Sequence, residues 1–160
     1  MKADKYLEKV LKYAQKGVAL DLGTGKGRNA LFLAKNRFKV EAIDKRDVFI
    51  NKNNPLIDFK VADINNLEFE KKYSLILAIF LLNLLGVLNT QKLFVKIKKA
   101  LLPKGIFYLT LFLEKKNSIE ILKLVKNYFQ IIESELEIIE DKHDVPHTHY
   151  VLRIIVKNKK

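Results

Sequence analysis

A chain of 160 residues without a single cysteine has no access to disulfides, thiolate zinc sites, iron–sulfur clusters or a cysteine nucleophile. With 49% of its residues hydrophobic, it is expected to form one domain, residues 1–160, that buries roughly two thirds of its unfolded surface. Its net charge of +12 is weighted toward the start, +7 over residues 1–53 against +1 over 114–160, and scattered lysines supply nearly all of the excess.

The opening stretch "MKADKYLEKVLKYAQKG" lacks the apolar core of a signal peptide and spaces its apolar residues for an amphipathic helix. "GVALDLG" (17–23) is a short apolar strand that ends in Asp21 and runs into a glycine turn. "RNALFLAKNRF" (28–38) places Ala30, Leu31, Leu33 and Ala34 on one helical face. "KVEAID" (39–44) and "DFKVAD" (58–63) are further strands, and both also end in aspartate, Asp44 and Asp63. The segment between them, "KRDVFINKNNP", is poor helix material, so a full helix is not expected there.

"YSLILAIF" (73–80) reads as a strand buried on both faces, as parallel strands are. The longest apolar run, Leu75 to Leu88, is interrupted by Asn83 and Gly86 and is short for a membrane span. "TQKLFVKIKKALLPKG" (90–105) reads as a helix stopped by Pro103 and Gly105, and "IFYLTLFL" (106–113) as the next strand. Ser118 is placed to cap "IEILKLVKNYF", and "QIIESELEII" (130–139) and "YVLRIIVKN" (150–158) are two strands with no helix between them.

Alternation of this kind predicts an α/β fold, a doubly wound and mostly parallel sheet with helices on both faces and a C-terminal antiparallel hairpin. Crossovers are expected to be right-handed. A ligand belongs beyond the carboxyl ends of the strands, where the strand order reverses, and Asp21, Asp44 and Asp63 fall at such ends. The protein is expected to be soluble and cytoplasmic.

Three ligands compete for the turn in "LDLGTGKGRNA". A nucleoside-triphosphate loop needs Gly-Lys-Ser/Thr, and here Lys26 is followed by Gly27. A dinucleotide turn needs G-x-G-x-x-G, but Arg28 stands at the last glycine position, and Asp21 would repel a pyrophosphate. The third candidate carries a sulfonium and an ammonium but no phosphate, which is the chemistry of S-adenosylmethionine. Backbone amides of the turn would take its carboxylate and Asp21 its ammonium. Asp44 would accept both ribose hydroxyls, and Asp63 the adenine amino group with Ile64 beside the ring. The plainer alternative is that these aspartates cap a turn or end strands in solvent.

Taken together, the motifs resemble the class I S-adenosylmethionine-dependent methyltransferases over essentially the whole chain. "LDLGTGKG", the acidic ends of the second and third strands and the terminal strand pair carry the likeness, and "LLPKGIFYLTLF" is similar to that family's L-x-P-G-G turn before the fifth strand. Within the superfamily the chain is most similar to the TehB-like tellurite-resistance methyltransferases and their small relatives. That likeness rests on "ALDLGTGKGRNALFLAKNRFKVEAIDK", "DINNLEF" (63–69) and an ending, "PHTHYVLRIIVKN", similar to a P-H-x-H tail.

The resemblance implies a Rossmann-like sheet, S-adenosylmethionine as cofactor, and cofactor contacts from Asp21, Gly23, Thr24, Gly25, Gly27, Arg28, Asn29, Asp44, Lys45, Asp63 and Ile64. Three departures are visible. The helix that relatives usually carry between the second and third strands is shortened or lost, which loosens one wall of the adenosine pocket around Asp63. Ser74 stands where relatives often have aspartate, and Lys104 replaces one glycine of the turn before the fifth strand.

A sulfonium activates its own methyl group, so alignment of the acceptor supplies much of the rate and no catalytic residue is singled out. No N/D-P-P-Y/F segment follows the fourth strand, which weighs against enzymes that grip a flipped base, and the lack of cysteine closes the covalent route to C5 of cytosine. Candidate acceptor residues are Asn83, His147 and His149. With His143 these two are all the histidines of the chain, and their plainer reading is as polar loop residues.

No metal site is expected. The leading reading is an enzyme acting on a small-molecule or metalloid acceptor similar to tellurite or selenite. An RNA methyltransferase is the alternative raised by the basic first half. A non-catalytic binding module on the same fold is a third reading.

Overall fold

The computed structural model describes residues 2–70, 72–141 and 147–159. Seven strands form one sheet: β1 (Val18–Leu22), β2 (Lys39–Asp44), β3 (Ile57–Val61), β4 (Tyr73–Ala78), β5 (Leu101–Phe112), β6 (Phe129–Asp141) and β7 (His147–Asn158). Their order across the sheet is β3-β2-β1-β4-β5-β7-β6. The pairings from β3 through to β5 are parallel, and β7 runs antiparallel between β5 and β6. This is the mostly parallel sheet with an antiparallel hairpin expected from the pattern. The chain leaves β1 toward β2 on one side and returns to β4 on the other, so a crevice opens beyond the carboxyl ends of β1 and β4.

Alternation along each strand divides the apolar residues between two cores. Ala19, Leu75, Leu77, Ile106, Tyr108 and Ile155 face α1 (Leu7–Val10) and α2 (Arg28–Lys35). Leu20, Leu22, Ile76, Phe107, Leu109 and Ile154 face α3 (Leu82–Ala100) and α4 (Ser118–Tyr128). On the second face Phe94, Phe107 and Phe129 meet edge-on or tilted at 5.2–5.8 Å between ring centres, an arrangement aromatic rings favour. Among the described residues no helix is long and apolar enough to cross a membrane.

Several boundaries differ from the sequence reading, each for a local reason. The N-terminal stretch holds a single helical turn, Leu7–Val10, followed by turns to Tyr13, and the Asp4 carboxylate fixes its start by accepting the Tyr6 amide. The third helix starts at Leu82 instead of Thr90 and is broken at Gly86 (φ 76°, ψ 173°), a conformation open essentially to glycine. It ends at Ala100, and Leu101–Gly105 belong to a long β5, with Lys104 at φ 65° where a glycine would rest without strain. Asn117, not Ser118, precedes α4. The Ser118 hydroxyl instead donates to the Phe112 carbonyl at 2.5 Å.

Residues 45–56 contain no helix, as their composition implies. A single side chain does the packing instead: Phe49, 5% exposed, stacks on Phe59 of β3 with ring centres 4.7 Å apart. The ring also lies against Gly27, where a Cβ would sit 2.2 Å from Phe49 Cε2, and Gly27 holds φ at 85°. Both the backbone angle and the aromatic neighbour therefore require glycine at this position.

Gly27→Ala is expected to cost at least about 2 kcal/mol, from the left-handed φ and the collision with the ring. Phe49→Ala should cost about 3 kcal/mol through the cavity it leaves. The double variant should cost clearly less than the sum, because losing the ring removes the collision; urea unfolding of the four proteins measures this coupling.

Candidate functional site

The site is built on the turn after β1. Gly23 and Thr24 both donate their amides to the Ile43 carbonyl, at 2.8 and 3.0 Å, which fastens the turn to the end of β2. The Gly25 amide donates to Asp44 Oδ2 at 2.8 Å, and the Arg46 amide to Asp44 Oδ1 at 3.0 Å. Each Asp44 oxygen thus keeps acceptor capacity for one further donor, since a carboxylate has about four lone-pair positions. Gly25 lies at φ 55°, and a Cβ there would meet no atom within 4 Å. Its exposed side faces open space.

Asp21 lies beneath the turn, only 1% exposed. Burial pushes its carboxyl up to about 6, partly opposed by the Thr24 hydroxyl, which donates to Oδ2 at 2.6 Å, and by the Ala30 amide; the Asp44 charge adds to the rise. Asp63 follows β3 and caps the short 3-10 turn Ile64–Asn66, where its Oδ1 accepts the Asn65 amide at 2.9 Å.

These groups surround a cavity of about 390 Å³, bordered by Gly23, Gly25, Asp44 and Asp63 on one side and by Ile79, Phe80, Leu81 and Leu84 on the other. A smaller pocket of about 240 Å³ shares Gly23, Gly25, Arg28 and Ile79 with it and adds Thr24, Lys26 and Asn29. Of the residues expected to hold a cofactor, Lys45 and Ile64 also border the larger cavity. Asp21 and Gly27 border neither. The first lies under the turn, and the second is covered by Phe49.

Asn83 is engaged in the scaffold. Its Nδ2 donates to Ser118 Oγ at 2.9 Å and Asn117 Oδ1 at 3.1 Å, and its Oδ1 accepts the Phe112 amide at 2.8 Å. It ties α3 to the corner between β5 and α4 and does not border the 390 Å³ cavity.

His147 and His149 open β7 with their rings 4.6 Å apart and nearly perpendicular. His149 Nδ1 pairs with Glu114 Oε1 at 2.5 Å, and the other Glu114 oxygen accepts the Tyr150 amide. Burial raises the Glu114 carboxyl, but the His149 and backbone hydrogen bonds outweigh it and hold the group below its ordinary value. The His149 ring lies 5.2 Å from Phe112, which stacks on Phe80 at 4.7 Å, so the pair stands one aromatic layer behind the cavity wall. His143 lies outside the described residues. Among the described residues no three His, Asp or Glu side chains converge as metal ligands.

Sequence reasoning missed Phe80. It sits at φ 56°, an outlier for a bulky residue, and is held there by its amide donating to Thr110 Oγ1 at 2.8 Å and by its stacking on Phe112. Phenylalanine carries no mark of that backbone state. The available signal was Thr110, a hydroxyl in the otherwise apolar run "IFYLTLFL".

A family model described as "Tellurite resistance protein TehB" matches residues 4–136. TehB from Haemophilus influenzae superposes with a TM-score of 0.81 at 17% identity over 98% of this chain, which spans 63% of that protein's chain. A SAM-dependent methyltransferase from Methanosarcina mazei superposes with a TM-score of 0.78 at 16% identity, covering 99% of both chains. The N-methyltransferase NodS from Bradyrhizobium japonicum, in complex with S-adenosyl-L-homocysteine, gives 0.78 at 14% identity over 96% of this chain and 85% of its own. A comparison with curated protein sequences gave no match. Identities this low speak for the fold alone, whereas the family match covers most of the sequence. The chain has the fold of S-adenosylmethionine-dependent methyltransferases and belongs to the TehB family.

Proposed function

We propose that the chain acts as a single methyltransferase domain that transfers a methyl group from S-adenosylmethionine to a small acceptor of the metalloid-oxyanion class, similar to tellurite or selenite. The observation that carries the reading is Gly25. Its amide is held by Asp44, and a Cβ on its other side would meet no atom within 4 Å, so a ligand in the cavity can approach the backbone closely.

When bound, S-adenosylmethionine supplies a methyl group already activated on a sulfonium. Asp44 accepts the ribose hydroxyls with the lone pairs left by the Gly25 and Arg46 amides. Asp63 and Ile64 receive the adenine, and Lys45 flanks it. Asn29, at the start of α2 beside the smaller pocket, holds the amino-acid carboxylate, while Asp21 supports the ammonium from below the turn. Ile79, Phe80 and Leu81 keep water from the reacting side.

The cations Lys26, Arg28, Lys45 and Arg46 border the cofactor's share of the two pockets, and their summed field draws an anionic acceptor toward the site. His147 and His149 stand on the acceptor side behind Phe80 and Phe112, with Glu114 orienting the His149 ring. An oxyanion brings its own nucleophilic lone pair, so the residues need only align it.

Calorimetry should show micromolar binding of S-adenosylmethionine and S-adenosylhomocysteine and none of NAD. Asp44→Ala should weaken both by more than about tenfold, since buried hydrogen bonds to a charged group contribute roughly 1.5–3 kcal/mol each. Tellurite- or selenite-dependent formation of S-adenosylhomocysteine tests the acceptor. Turnover with organic thiols or RNA and none with either oxyanion would replace it.

A pH dependence follows from Asp21. The ligand's ammonium needs the ionised carboxylate, and in the free protein that carboxyl titrates near 6. Below pH 6, binding must therefore expel a proton. Affinity should fall as the pH drops from 7 to 5, approaching about tenfold per unit. Asp21→Asn should bind more weakly at pH 7 and lose this slope; an unchanged slope in the variant would remove Asp21 from the role.

A further inference from the structure

Asp4 and Arg153 border neither pocket, yet their side chains are only 3% and 4% exposed. Arg153 on β7 donates from Nη1 to Asp4 Oδ2 at 2.6 Å, and from Nε and Nη2 to Glu137 Oε2 on β6 at 2.8 and 2.6 Å. The Tyr108 hydroxyl on β5 accepts from Arg153 Nη1 at 3.0 Å and donates to Asp4 Oδ1 at 3.2 Å. Asp4 Oδ1 also takes the Tyr6 amide, and the Tyr6 ring stacks on Tyr108 at 5.8 Å. Asp4 is thus held by three strands' worth of anchoring through one buried guanidinium. Burying ions is costly, and an apolar cluster would tether a chain segment as firmly, so what this network adds is a fixed geometry at Asp4.

That geometry is delivered at Asn29. The Asp4 backbone amide donates to Asn29 Oδ1 at 2.9 Å. Asn29 is the second residue of α2, directly after the glycine turn, and borders the smaller pocket. A side-chain amide fits its space either way round, and its partners decide which end faces where. With Oδ1 committed to an N–H donor, the NH₂ group is the end that remains to serve a ligand, and NH₂ donates to anions.

We propose that Asp4, anchored by Arg153, is a positioning residue that sets the Asn29 amide so that its NH₂ group receives the carboxylate of the ligand's amino-acid portion. This rests on the cofactor reading above. It also makes the N-terminal segment part of the pocket. Occupancy by a carboxylate-bearing ligand steadies the segment, and a steadied segment strengthens carboxylate binding by the same factor.

The test compares two probes, S-adenosylhomocysteine and 5′-methylthioadenosine, which share the nucleoside and differ in the amino-acid portion. By calorimetry, Asp4→Ala should weaken S-adenosylhomocysteine at least about fivefold, the low end of couplings between linked sites, and 5′-methylthioadenosine by less than about twofold. Asn29→Asp keeps the acceptor for the Asp4 amide but replaces the donor with a repelling oxygen, so it should give the same split and carries the test if Asp4→Ala does not fold. In the unaltered protein, S-adenosylhomocysteine but not 5′-methylthioadenosine should slow hydrogen exchange at the Asp4 amide.

Equal weakening of both probes, or no weakening of either, overturns the proposal and leaves Asp4 as a structural tether. If the unaltered protein binds neither probe, the cofactor reading fails and this proposal fails with it. If it binds both while Asp4 exchange is unaffected and the variants show no split, this proposal alone is lost.

Discussion

Three amides in succession, those of Gly23, Thr24 and Gly25, are taken up by the end of β2: two by the Ile43 carbonyl and one by the Asp44 carboxylate. Most of the site depends on this fastening. It turns the chain sharply after β1, keeps Asp21 covered, and starts α2 where its first residues border the smaller pocket. It also gives Asp44 a structural task and a ligand-facing one at once. The carboxylate that would meet a ribose is already fixed in direction by two backbone donors, so little of its freedom is left to lose on binding.

The sheet's reversal between β1 and β4 supplies the space, and the two sides of that space differ in chemistry. The side formed by the ends of β1, β2 and β3 is polar and rigid, built from strand ends and backbone amides. The side after β4 is apolar and carries the irregular backbone: Phe80 at a positive φ, then a helix interrupted at Gly86, with Leu84 82% exposed between them. Strain at Phe80 persists because Thr110 and Phe112 both hold it. Such a division suits a reaction in which one partner is always the same molecule and the other defines the protein's particular role.

The strands and the acidic strand ends were legible because they obey simple rules. Apolar residues alternate between two cores, and Asp21, Asp44 and Asp63 punctuate three successive strands. What could not be read was set by tertiary partners. "LLNLLG" looks like core material, and nothing in it announces a helix with a break, since the break depends on a glycine angle and on packing around it. Asn83 looked like a lone polar group near a site, whereas its partners Ser118 and Asn117 lie more than thirty residues later. The absent helix between β2 and β3 was readable from composition. Its replacement by one ring, Phe49 over Gly27, was not, because an isolated phenylalanine in a polar segment does not say which glycine it covers.

The Arg153–Asp4 contact joins residues 149 positions apart. Every residue bordering the two pockets lies within the first 89, so the walls of the site leave the ribosome well before the strand that secures them. Until β7 docks beside β5, Asp4 lacks its buried cation and Asn29 its fixed orientation. A nascent chain can thus assemble the glycine turn early, while the anchor of Asp4 waits for the last strand of the sheet. The first residues of the chain and its last strand are, in this molecule, secured by one and the same contact.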